Sequence, residues 1–164
     1  MSSIRAELSG EADTLLKSLG RLEKLELKGA LNAIGEGLRT STVERFEGEE
    51  SPEGKKWEPS IRASVESGGK TLTQTGKLKA SIRKKVSGSG LAVGTNDIRA
   101  ATHQFGDTRT IRAKNKKYLR FKVGGQWRSA ASVRITIPPR PFLGISEADE
   151  QDIRETLEEI LEGE

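Results

Sequence analysis

The chain carries one histidine, His103, and no cysteine, which closes most side-chain chemistry at once. Without thiols there are no disulfides, no thiolate catalysis, no Cys-ligated zinc and no iron–sulfur clusters. A single imidazole excludes a multi-His metal site within one chain and argues against a Ser-His-Asp triad. Asp97, His103 and Asp107 could be drawn together around a metal, but one imidazole and two loop acids read as surface hydrogen bonding. Gly88-x-Gly90-x-x-x-Gly94 misses a dinucleotide fingerprint. Its spacing is wrong, a hairpin strand enters it and no helix follows. There is no Walker-type phosphate loop. Glu49-Glu50 sits in a polar turn with nothing apolar to raise a pKa, and the acidic C-terminal segment lacks the spaced ligands and glycine of a calcium loop. The reading is a non-enzymatic chain with no catalytic, cofactor-binding or metal-ligating residues and no cofactor.

One stretch could still bind something by charge and stacking. Between Asp107 and Gln126 stand Arg109, Arg112, Lys114, Lys116, Lys117, Arg120 and Lys122, with Tyr118 and Phe121 among them and Trp127 just beyond. Aromatic rings set between cations can stack bases while the cations meet phosphates. A basic nucleic-acid-binding module using residues 109–134 is therefore the alternative function. Against it, aromatic residues make up 4% of the chain, and Tyr118 and Phe121 read equally well as half-buried strand residues.

Charge is segregated along the sequence. Residues 1–60 hold 9 Lys/Arg against 12 Asp/Glu, residues 61–145 hold 18 against 3, and residues 146–164 hold 1 against 9. The blocks are −3, +15 and −8, summing to the net +4. A centre so positive repels itself unless something acidic lies against it. The candidates are nucleic acid, the chain's own tail, or the tail of a neighbouring subunit.

The elements that must position these groups follow from periodicity. Residues 3–27 read as an amphipathic helix on Ile4, Leu8, Ala12, Leu15, Leu16, Leu19 and Leu22. A second helix from about Ala30 to Phe46 carries Leu31, Ile34, Leu38, Thr42 and Phe46 on one stripe, with Gly35 and Gly37 weakening its middle. The two make a helical hairpin or one long bent helix. Pro52 and Gly54 turn the chain towards Trp57, and residues 60–70 form a short helix or a loop. Alternation of Leu78, Ala80, Ile82, Lys84 and Val86 reads as a strand, Ser87-Gly88-Ser89-Gly90 as its hairpin turn, and Leu91–Thr95 as the return. Residues 96–106 suggest a short helical turn. Strands around Tyr118–Val123 and Val133–Ile137, turned at Gly124-Gly125, suggest a long basic hairpin or loop over 107–134. Pro138-Pro139-Arg140-Pro141 is stiff and extended. Asp149–Glu162 closes the chain as an acidic amphipathic helix on Ile153, Leu157, Ile160 and Leu161.

That order gives an α+β fold: an N-terminal helical hairpin or long bent helix, a small antiparallel sheet with the basic hairpin or loop, and the acidic helix. The 164 residues suit one domain, divided into a helical region at 1–47, the sheet at 72–137, and a connector with its helix at 138–164. Forty-one large apolar residues can seal one small core. The start of the sequence has no signal-peptide apolar region and no run approaches the length that crosses a bilayer, so the expectation is a soluble, cytoplasmically made protein without membrane contact.

Four segments in order carry a family resemblance. They are Arg45-Phe46 with Glu49 through Trp57; Leu72-Thr73-Gln74-Thr75-Gly76-Lys77-Leu78-Lys79-Ala80-Ser81-Ile82; Val93-Gly94-Thr95 leading to His103-Gln104-Phe105-Gly106; and Ile137-Pro138-Pro139-Arg140-Pro141-Phe142-Leu143-Gly144. Together they resemble the virion morphogenesis proteins of Mu-like tailed bacteriophages, also called tail completion proteins, over roughly residues 40–162. The chain departs from that pattern in a short glycine-rich loop at 62–71 and an unusually cationic stretch at 107–134.

The resemblance implies a structural protein of the phage neck, made in the host cytoplasm and built into the virion at the head–tail junction. It implies a homo-oligomeric ring, commonly hexameric, between the head connector and the tail terminator or tail tube; the basic charge, separately, allows proximity to DNA. A +15 centre and a −8 helix supply the unlike surfaces that a closing heterologous interface needs. The expected assembly residues are Trp57, Gly76, His103, Phe105, Gly106, Arg112, Lys114, Lys116, Lys117, Arg140, Phe142 and Leu143. Trp57 and Phe105 are read as core or interface anchors, and His103–Gly106 as a packing turn. Phe142 and Leu143 are expected to anchor the connector, and Arg140 to meet a carboxylate or a backbone carbonyl.

Overall fold

Residue Leu31 and its helical neighbours Ile34, Leu38, Thr42 and Phe46 recur at spacings of three and four, and all are buried. That stripe is why the central element of the fold is one long helix, α1, Lys24–Gly48. The computed structural model describes residues 4–7, 24–65, 69–88, 90–123 and 125–162. Its remaining elements are β1 (Ile4–Glu7), α2 (Ile61–Val65), α3 (Lys77–Ala80), β2 (Arg83–Ser87), β3 (Gly90–Thr95), α4 (Ala100–Phe105), β4 (Asp107–Arg112), β5 (Leu119–Val123), β6 (Gln126–Ala130), β7 (Ser132–Ile137) and α5 (Glu147–Glu162). The fold is α+β.

The helix α1 runs unbroken through Gly35. A Cβ at that position would lie 2.6 Å from Leu91 Cδ1 and 3.2 Å from Lys84 Cδ. The glycine therefore lets β2 and β3 approach the helix closely, and that packing outweighs the small propensity cost.

Three antiparallel strands in the order β1-β3-β2 form the sheet on which α1 lies. Ile4 pairs with Thr95 and Arg83 with Gly94 across the central strand β3. The expected helix over 3–27 is corrected here: Ile4–Glu7 is a strand. An open β3 edge supplies ladder hydrogen bonds that local helical periodicity does not weigh. Residues 24–27 are helical as the start of α1, and residues 8–23 of that reading lie outside the described residues. A second correction concerns the strand expected from Leu78. Lys77–Ala80 is one helical turn, with Ala80 N donating to Gly76 O at 2.8 Å, and the strand begins at Arg83. The turn puts Leu78 and Ile82 four apart, and both are buried.

The basic region is more strand-rich than its sequence suggested. β4 pairs with β7, Arg112 standing opposite Ser132, and Ala113 N donates to Ala131 O at 3.0 Å. β5 pairs with β6, Leu119 standing opposite Ala130. In register the second pair continues the first, with residues 114–118 looped out on one side. Asp107–Arg112 is a strand that no periodic apolar signal marked.

Helix α5 packs on α1 through Ile153 and Leu157. Its start is a capping box: Ser146 Oγ accepts from Asp149 N at 3.1 Å, and Asp149 Oδ2 accepts from Ser146 N at 2.7 Å. The shared core gathers Ile34, Leu38, Phe46, Trp57, Ile82, Val93, Phe142 and Leu157 among others.

Candidate functional site

The connector Pro138–Gly144 has no N–H at its three prolines, so it cannot join a ladder, and its buried carbonyls need other donors. Side chains supply them. Trp57 Nε1 donates to Pro141 O at 2.8 Å. Arg45 Nη1 donates to Phe142 O at 3.1 Å and Gly144 O at 2.8 Å. Gln104 Oε1 accepts from Phe142 N and Leu143 N, both at 3.1 Å, while its Nε2 donates to Leu143 O at 2.9 Å. The Phe142 ring meets Phe46 at 5.1 Å, and Phe46 meets Trp57 edge-on at 5.5 Å. Phe142 and Leu143 are thus buried anchors, and the connector is held by groups from α1, α4 and the Trp57 loop.

Arg45 also closes the circuit to α5. Its Nη2 donates to Ser41 Oγ at 3.1 Å and forms an ion pair with Asp149, the two side chains being 6% and 4% exposed. Asp149 therefore caps its own helix and neutralises the arginine that holds the connector. Arg45, Gln104 and Asp149 were not among the expected site residues. Arg45 sits inside the buried stripe of α1, where a cation signals a buried partner, and Ser146-x-x-Asp149 is a readable capping signature.

Arg140 is 5% exposed. Its backbone N donates to His103 O and its Nε to Glu58 O, each at 2.7 Å, so of the two expected partner types the carbonyl is present. Arg140, His103, Arg62, Arg99, Gln74 and Thr75 border a cleft of about 320 Å³. His103 Nδ1 is buried without a hydrogen-bond partner. Burial, then Arg140 and Arg99, lower the imidazole pKa against the opposing pull of Asp97. Arg99 donates to both oxygens of Asp97, at 2.8 and 2.5 Å, and holds that carboxyl down to about 2. Burial also lowers the pKa of Arg140.

The other expected residues divide. Gly106, at φ 75°, follows α4, and a Cβ there would lie 2.9 Å from Ile137 O and 3.0 Å from Pro139 N. Only glycine lets β4 leave α4 alongside the connector. Gly76 adopts a left-handed conformation before α3, whose Leu78 borders the cleft. Phe105 is 70% exposed, which rules out core and leaves it on the surface. Arg112, Lys114, Lys116 and Lys117 lie away from the connector, exposed on the β4–β7 arm. On that arm Trp127 is 60% exposed, with Arg120 5.1 Å and Lys122 5.6 Å from its ring centroid. Among the described residues the arm's ion pair is Arg109–Asp107 at 3.4 Å, and most of its charge finds no acidic partner among them. The acidic helix does not answer it: α5 packs on α1 by its apolar face and turns Glu155, Glu158 and Glu159 outward.

Among the described residues no group of three or more His, Asp or Glu side chains is gathered to hold a metal, and no helix is long and apolar enough to cross a membrane. What these residues present is exposed surface of two opposite signs on a frame tied together by side chains. Residues 9–162 match the phage virion morphogenesis family, and the chain belongs to it. It is a bacteriophage protein with a role in virion morphogenesis. The Mu-like prophage FluMu G protein 2 of Haemophilus influenzae is 30% identical over 94 residues, 57% of this chain and 54% of that protein. The match thus spans about half the length of that relative. No solved structure matches the chain.

Proposed function

We propose that this chain is a tail completion protein that assembles with copies of itself into a ring, commonly hexameric, at the head–tail junction of a tailed phage. Its neighbours would be the head connector on one side and the tail terminator or tail tube on the other. The carrying observation is the family match together with charge that finds little partner among the described residues: an exposed cationic arm and an exposed acidic face on α5. Unlike surfaces of this kind steer encounter and fix register in a heterologous interface. The test is negative-stain imaging of a lysate from phage lacking the gene. Headless tails beside packaged heads support the reading; normal, infectious virions overturn it.

A second reading has its own observation, the exposed Trp127 between Arg120 and Lys122. An exposed ring flanked by cations suits base or backbone contact with DNA, and DNA passing through a ring would make the two readings compatible. Binding of duplex DNA that falls steeply with salt, and falls further when Lys114, Lys116 and Lys117 become Glu, supports it. No binding at low salt overturns it.

A further inference from the structure

Two arginines are buried among the described residues, Arg45 and Arg140, and their situations differ. Arg45 has Asp149. Arg140 has one carbonyl on Nε and, among the described residues, no carboxylate within 4 Å and no hydrogen bond at either Nη, Glu58 acting on it only at longer range. A buried charge is costly unless it is paired. This one borders an open cleft whose lining holds two further arginines, His103, and no aspartate or glutamate. Gln74 and Thr75 stand exposed at its edge with donor groups that bind nothing else among the described residues. Leu72 and Leu78 give it an apolar wall.

From this geometry we infer that the cleft is a socket for a carboxylate carried by the acidic face of helix α5 of a second copy, with Arg140 as the group that receives it. The inference rests on the self-assembly reading above and names its contact. An anion with one or two oxygens suits a guanidinium whose Nε is already committed and whose Nη groups make no hydrogen bond among the described residues. The recess selects how that anion is presented. A glutamate on its flexible stem can reach a side chain that is 5% exposed, with its methylenes against Leu72 and Leu78. A phosphate fixed on the outside of a duplex cannot enter so far. The chain supplies the complement itself: Glu155, Glu158, Glu159 and Glu162 are exposed on α5. Among the described ion pairs none joins α5 to Arg99 or Arg140. The cationic arm would then attract the helix at distance, and the cleft would fix it.

The test uses the full chain in sedimentation velocity over a concentration series. A socket variant, Thr75→Glu, places a competing carboxylate at the cleft edge on an exposed position. Arg140→Gln, checked by thermal melting for a retained fold, removes the receiving group. A plug variant, Glu158→Lys with Glu159→Lys and Glu162→Lys, reverses the helix face near its C-terminus, where lysine suits the helix dipole. Each is expected to weaken association at least about tenfold. Because one surface stays intact in each, an equimolar mixture of Thr75→Glu and plug variants is expected to give 1:1 dimers and nothing larger. If the variants assemble like the parent chain, or the mixture stays monomeric where the parent assembles, the socket is wrong although the ring stands. A parent chain monomeric throughout overturns both. Loss of duplex DNA binding in Thr75→Glu with association unchanged makes the cleft a phosphate site and overturns the inference.

Discussion

Among the described side chains Arg45 joins the most distant parts of the chain, reaching two connector carbonyls, Ser41 and Asp149. Removing one member of a buried pair strands the other's charge and typically costs about 3–5 kcal/mol. Arg45→Ala is therefore expected to lose about that much stability in urea denaturation, and Asp149→Asn somewhat less because it keeps a capping oxygen. His103 makes a pH prediction. Its folded pKa lies below the ordinary 6.5 because burial and two arginines disfavour the cation. The unfolded chain then binds more protons below pH 6.5, so stability is full above that value and declines as pH falls through it. Denaturation midpoints between pH 7.5 and 5.5 check this, and His103→Gln is expected to flatten the trend. The Ser146-x-x-Asp149 cap and a cation in the α1 stripe were readable signals, but the partners they find were not. His103 read as part of a packing turn, but the two arginines that act on its ring, Arg140 and Arg99, lie 37 and 4 positions away. Sequence distance hides such fields.

Local periodicity foreshadowed α1, α5 and most of β2, β3, β5 and β7, but it misread Ile4–Glu7 as helix and missed β4. The α1 stripe and the acidic helix were legible because amphipathic faces repeat locally. β4 was not, since Asp-Thr-Arg-Thr-Ile-Arg has little apolar alternation and becomes a strand by meeting β7. Ile4–Glu7 likewise takes its conformation from the β3 edge. The single turn α3 mimicked a strand because Leu78 and Ile82 bury together from either conformation. The basic arm makes its own prediction. Lys114, Lys116 and Lys117 are exposed, and surface substitutions away from packed features usually change stability by no more than about 0.5 kcal/mol. Converting all three to Glu is expected to leave the thermal midpoint nearly unchanged while altering assembly, read by size-exclusion chromatography with light scattering.

At the scale of the whole molecule, two exposed regions of opposite sign predict association that weakens with salt, since exposed charges are screened beyond roughly 8 Å at physiological ionic strength. Light scattering at two salt concentrations, with and without short duplex DNA, reads this directly; association that strengthens with salt would point to an apolar contact instead. By itself the sequence determined the fold class, the separation of charge into blocks, the rigidity of Pro138–Pro141 and the order of motifs that carries the family, because each of these is written in neighbouring residues. Only the tertiary structure decided which arginine is neutralised and which is left facing a cleft, that the acidic helix turns its charges outward, and that Asp107–Arg112 is a strand. Those outcomes depend on contacts between residues far apart in the chain, where burial sets the cost of a charge and pairing sets the conformation of a strand.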